Sequence, residues 1–191
     1  MIKRDFISIY YLLYVFFNGI SYYALSSMLI TILTNNFEFS AEIATYIKLG
    51  FSFLSVAIGA LILYKLTVKN DYVNIGIKYI GRTITYIIPV IWLNKYTIML
   101  GLIYTVLTAS SYNHITDAPY INRFDSSSQL AFANLSEMLG YLSRAIGTFI
   151  CGIGIVSGLR YNFIIAFIFT FISTVLAYLA LFSINKERMR K

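Results

Sequence analysis

Polar side chains recur at helical spacing inside one of the most apolar parts of the chain, residues 130–159. They are Asn134, Glu137, Tyr141, Arg144 and Thr148, at intervals of three, four, three and four residues. Side chains at these intervals share one face of an α-helix, so the spacing predicts a polar stripe along one helix. On such a stripe, Glu137 is a candidate protonatable or substrate-contacting group, and Arg144 is a candidate charge partner or anion contact.

The elements around this stripe are apolar. Six mostly apolar stretches fill most of the 191 residues, and 59% of the chain is hydrophobic while only 12% is charged. Each stretch is long enough, or nearly so, to cross a hydrocarbon core of about 30 Å. We therefore predict a single all-α domain, residues 1–191: an integral membrane bundle of six transmembrane helices in a lipid bilayer. The predicted spans are residues 6–33, 43–66, 73–93, 96–112, 130–159 and 163–184.

The depth of the polar stripe in the fifth span indicates a functional role for its charged residues. Glu137 and Arg144 are separated by about 10 Å along a helix, so at least one charge lies well inside the hydrocarbon zone. Such charges are costly unless they face water or partners, and we expect them to line a cavity or the bundle centre. The alternative is that Glu137 snorkels to the interface and Arg144 pairs with backbone carbonyls. The predicted solute pathway consists of Glu137, Arg144, Asn134 and Tyr141 with Asn18 and Tyr22 of the first span.

The cations indicate the orientation of the chain. Most of them fall in alternate loops and in the two termini, and Lys78 and Arg82 are assigned to the inner end of the third span. The first loop on the opposite side carries Glu38 and Glu42 and no cation. The positive-inside rule therefore predicts that both termini are cytoplasmic. The membrane that we expect the protein to occupy is the plasma membrane. This distribution also explains the net charge of +7 without a nucleic-acid partner.

Several activities lack the residues they need. The chain has one cysteine, Cys151, and one histidine, His114, and it has no phosphate-binding glycine loop. We therefore expect no metal site, no cofactor and no catalytic residues, and predict that the protein is not an enzyme. Small residues that follow the stripe, Gly147, Cys151, Gly154 and Gly158, predict a close helix-packing seam. Ser40, followed by Glu42, predicts the start of the second span's helix.

The order of spans and loops resembles half of a major facilitator superfamily transporter. The resembling features are the first loop rich in Asn, Phe, Ser and Glu, the run Gly59-Ala60-Leu61 before a short basic loop, a longer connection from Ala118-Pro119 to Gln129-Leu130, a glycine-rich fifth span and a basic tail. Leu63 stands where the family's loop motif has an Asp, and Gly147 and Gly152 lack the pairing with Pro that drug/proton antiporters show. With these departures, the chain resembles the C-terminal half of the family's transporters more closely.

The resemblance implies a secondary transporter that moves a small solute by alternating access. In this family the substrate binds between two six-helix bundles, so we expect one copy to need a homodimeric partner or a second six-span half. The other expectation for such a half is a truncated remnant of a twelve-span protein. The alternative class is a non-catalytic membrane subunit, either the membrane part of an ABC exporter or an immunity or assembly protein.

Overall fold

The chain folds into helices throughout the part that is described. The computed structural model describes residues 6–65, 71–108, 117, 119–122 and 126–189; of these, 92% are helical and none lies in a strand. The all-α prediction is therefore confirmed. His114 and six of the predicted inner-side cations lie outside the described residues: Lys3, Arg4, Lys69, Arg123, Arg190 and Lys191.

Each of the six apolar stretches is helical over most of its described part. The helices are α1 (Phe6–Ser26), α2 (Leu29–Phe37), α3 (Ala41–Lys65), α4 (Asp71–Ile75), a π-helical turn (Gly76–Ile80), α5 (Gly81–Ile91), α6 (Lys95–Leu107), α7 (Ser126–Ser157) and α8 (Leu159–Arg188). The first stretch, expected to be continuous over residues 6–33, is interrupted by a turn at Ser27 and Met28. The third contains the π-helical turn, a local widening that often marks functional positions.

Three helical segments of the described chain are long and apolar enough to cross a membrane. They are Phe6–Phe37, Ser128–Ser157 and Leu159–Glu187; the helix Lys95–Leu107 is apolar but shorter. The structure thus supports a membrane protein, although it does not show six spans. Large apolar side chains on the outside agree with a lipid-facing surface, among them Phe53 on α3, which is 78% exposed, and Phe149 on α7, which is 70% exposed.

Short polar residues define where two of the helices begin. The Ser40 hydroxyl accepts a hydrogen bond from the Ile43 backbone N–H at 3.3 Å, so the predicted start of the second span is confirmed as the beginning of α3. Asn94 caps α6, and its side chain accepts from the backbone N–H of Thr97 at 3.0 Å. The Thr97 hydroxyl in turn accepts from the Asn94 N–H, which completes a reciprocal capping box.

The core forms around α1, which packs along both α7 and α8, while α5 packs against α6 and α8. Gly147 lets α7 approach α1 closely: a Cβ at this position would lie 2.8 Å from the Ile20 carbonyl oxygen and 3.2 Å from the Ala24 nitrogen. This contact and the buried Cys151 place two of the predicted small residues in packing contacts. Because α1 lies against both α7 and α8, its polar residues Asn18 and Tyr22 can share one site with those of α7.

Candidate functional site

A buried arginine lies at the base of the site. Arg82, near the start of α5, is only 2% exposed. Its Nε donates to the Thr108 hydroxyl at 2.7 Å, one terminal nitrogen donates to Oδ1 of Asn18 at 3.0 Å, and the other donates to the Thr105 carbonyl at 3.4 Å. The guanidinium therefore connects α5 with α1 and with the end of α6. All three acceptors are uncharged.

Arg82 also forms part of the wall of a pocket between α1 and α7. The pocket has a volume of about 430 Å³, and α1 and α7 supply the rest of its wall. The ring of Tyr22 covers the Arg82 guanidinium, with 5.9 Å between the ring centroid and Cζ, which is within the range of a cation–π contact. The lining residues are Val15, Asn18, Gly19, Tyr22, Tyr23, Arg82, Glu137, Gly140, Tyr141, Ser143 and Arg144.

The structure brings five of the six predicted pathway residues together at this pocket. Glu137, Tyr141 and Arg144 line it from α7, and Asn18 and Tyr22 line it from α1. Asn134, the sixth, is exposed and does not contribute to the pocket wall. The polar stripe therefore bounds the pocket over two helical turns, and it continues past the pocket at its N-terminal end.

The rim residues on α7 have ordered contacts. The Tyr141 hydroxyl donates to the Glu137 carboxylate at 3.1 Å, and the Arg144 guanidinium lies over the Tyr23 ring at 5.0 Å from its centroid. Glu137, Tyr141 and Arg144 are all exposed, so the pocket opens to the surface of the bundle on this side. Arg144 thus lines the pocket and contacts an aromatic ring of α1. The alternative hypothesis was that it pairs with backbone carbonyls.

Lys78 is a second buried charged group, and it lies on the same face of the third apolar stretch as Arg82. Lys78, in the π-helical turn, is fully buried, and the Asp117 carboxylate attracts its charge while Arg82 repels it. Tyr14 donates a hydrogen bond to the Asp117 carboxylate. Asp117 is therefore an acidic group that attracts the charge of the buried lysine. The hydrogen bond from Tyr14 connects Asp117 to α1.

Four tyrosines pack around this group and form what we call the tyrosine cluster: Tyr11, Tyr14, Tyr79 and Tyr120. The ring centroids of Tyr11 and Tyr120 are 4.8 Å apart, and those of Tyr14 and Tyr79 are 5.6 Å apart. The Tyr120 hydroxyl donates to the Ala177 carbonyl of α8 at 2.8 Å. Burial raises the pKa of Tyr120 above its ordinary value, with Tyr79 and Asp117 acting in the same direction, so this donor stays protonated.

Burial of Lys78 and Arg82 was missed by the sequence analysis, which assigned both to the inner end of the third span. The structure encloses them between helices, so neither is a surface cation that reports on membrane orientation. Their spacing of four residues within an apolar stretch was the available signal, because it places both charges on one helix face. The positive-inside prediction then depends on the remaining cations.

Metal binding finds no support among the described residues, where no group of three or more His, Cys, Asp or Glu side chains could hold an ion. Comparisons of the chain with protein-family models, with curated proteins and with solved structures found no match. The chemistry of the pocket therefore carries the functional conclusion.

Proposed function

We propose that this protein is a multi-pass plasma-membrane transporter that moves a small solute and resembles one half of a major facilitator secondary transporter. The observation that carries this proposal is the pocket itself: a space of about 430 Å³ between apolar helices, lined by two arginines and a glutamate. Ionisable groups in such surroundings are retained at a cost, and solute pathways are where they occur.

Six spans with both termini in the cytoplasm give this proposal its topology. The three long apolar segments and α6 would account for four spans, and α3 and the α4–α5 segment for the other two. The pocket is open on the side where Tyr141 is 61% exposed. A second copy or a partner half would cover this opening, which is where alternating access requires a second bundle.

Sealed membrane vesicles provide a test that needs no knowledge of the solute. Gly140 lines the pocket, and a Cβ there would meet no atom within 4 Å, so Gly140→Cys fits without displacing neighbours. In a Cys151→Ala background this thiol would be the only one. We expect a membrane-impermeant thiol reagent to modify it when added to either side of the vesicle, because the pocket opens alternately to both.

Gly152→Cys is the matched control. Gly152 lies on the same helix, also has no atom within 4 Å of its Cβ position, and does not line the pocket. We expect this thiol to resist the reagent from both sides because it faces lipid. Modification of Gly140→Cys from one side only would contradict alternating access and would favour a non-transporting membrane subunit. Equal reactivity of the two positions would contradict a pocket confined to the α1 face of α7.

A further inference from the structure

The charge on Arg82 is not balanced by the groups that bind it. The acceptors of its three hydrogen bonds are a hydroxyl, an amide oxygen and a backbone carbonyl. An arginine stays protonated in proteins, so it cannot relieve its burial by losing the charge. Burying a full charge is costly unless an opposite charge or a polar ligand meets it. This buried cation therefore lacks a counterion among the described residues that bind it.

Nearby acidic side chains do not balance the positive charge of Arg82. Asp117 acts on Lys78, and Glu137 is the acidic side chain in the pocket lining, where it accepts from Tyr141. Arg82 and Arg144, the two cations of the pocket lining, therefore share one acid there, Glu137, so two positive charges stand against one negative charge among the described lining residues. One negative charge would neutralise the set.

The hydrogen bonds that Arg82 makes leave it able to bind another group. A guanidinium has five N–H donors, and three of them are used, so two remain without an acceptor among the described residues. The side chain lines the pocket, and Tyr22 covers one face of its plane. A guanidinium plane with free N–H groups at its edge matches the oxygens of a carboxylate or phosphate.

We infer that the pocket binds a small oxyanion, a carboxylate or phosphate group, with Arg82 as its anchor and Arg144 as a second cationic contact at the rim. This rests on the proposed function, because the anion would be the solute that is moved. A volume of about 430 Å³ leaves room for a small organic group beside the oxyanion. The walls formed by Tyr22, Tyr23 and Tyr141 suit such a group.

Binding can be measured on the purified full chain in a neutral detergent by thermal unfolding. The soluble probes are inorganic phosphate and benzoate, with choline as the cationic control. We expect phosphate or benzoate, but not choline, to raise Tm in a saturable manner. Arg144→Gln should weaken the apparent affinity about tenfold or more, since it removes a charged contact. Lys48→Gln removes an exposed cation that does not line the pocket and should leave the affinity unchanged.

Arg82→Gln should weaken anion binding more than Arg144→Gln, and Arg82→Lys should recover only part of the affinity because it restores the charge without the planar donors. If the Arg82 variants do not fold, the comparison between Arg144→Gln and Lys48→Gln still decides the question. Equal responses to phosphate in wild type, Arg144→Gln and Lys48→Gln would overturn the inference, and so would a choline response equal to that of the anions.

The same oxyanion chemistry could come from a lipid headgroup. Phosphatidylglycerol added to the detergent micelles tests this source: stabilisation by the lipid alone, lost in Arg144→Gln, would identify the anion as a headgroup. Stabilisation by soluble phosphate or benzoate would identify a soluble solute. Anion binding without access from both sides in Gly140→Cys vesicles would refute the transporter and leave the anion site standing. Access from both sides without anion binding would refute only the site.

Discussion

Replacing Gly147 by alanine tests the contact between α7 and α1 that shapes the pocket. The new Cβ would lie 2.8 Å from the Ile20 carbonyl oxygen, 2.8 Å from the Tyr23 Cβ and 3.2 Å from the Ala24 nitrogen. These atoms belong to the backbone of α1 or are attached directly to it, so no flexible side chain can move aside. The two helices must separate, and overpacking of this kind typically costs about 1–3 kcal/mol.

The measurement is the free energy of unfolding in mixed micelles, compared with Gly152→Ala on the same helix. A Cβ at Gly152 meets no atom within 4 Å, so this variant should be neutral or more stable by up to about 1 kcal/mol, through helix propensity. Because α1 and α7 both line the pocket, Gly147→Ala should also change its width and weaken binding of any ligand held there. Equal stabilities of the two variants would refute the close approach of α7 to α1.

Two further predictions concern hydrogen bonds, each with a matched control. Thr108→Val removes the acceptor of the Arg82 Nε and should lower the free energy of unfolding by about 1–3 kcal/mol. Thr83→Val, whose hydroxyl donates to the Tyr79 carbonyl four residues earlier, should change it by less than about 1 kcal/mol. Ser40→Ala removes the N-cap of α3 and should cost about 1 kcal/mol, whereas Ser52→Ala, an exposed position bonded within α3, should be nearly neutral. Unfolding in mixed micelles measures both pairs, and a pair that responds equally contradicts its prediction.

Local patterns were sufficient to predict the helices and one wall of the site. Apolar runs predicted where helices lie, and the spacing of Glu137, Tyr141 and Arg144 placed them on one face, where the structure has them lining a single pocket. Asn134 has the same spacing but does not line the pocket. Periodicity defines a helix face, but it does not define how much of that face a neighbouring helix covers.

The buried arginine shows what sequence patterns could not supply. Arg82 is held by Asn18, which is 64 residues away, and by Thr108, which is 26 residues away. No local pattern reports contacts over such separations, so the sequence placed Arg82 at the inner end of the third span. The break at Ser27 and Met28 was missed for a related reason: both sides of the turn are apolar, and neither glycine nor proline marks it.

The number of membrane crossings tests the account most directly, and single cysteines in a Cys151→Ala background can count them. Asn36, Lys95 and Lys186 are exposed. Six spans would place a cysteine at either of the first two positions outside the cell and one at the third on the inner side. We expect an impermeant maleimide to label the first two in intact cells and the third only after permeabilisation. If only the three long apolar segments cross, Lys186→Cys would be labelled in intact cells together with Asn36→Cys, and that result would contradict the six-span transporter.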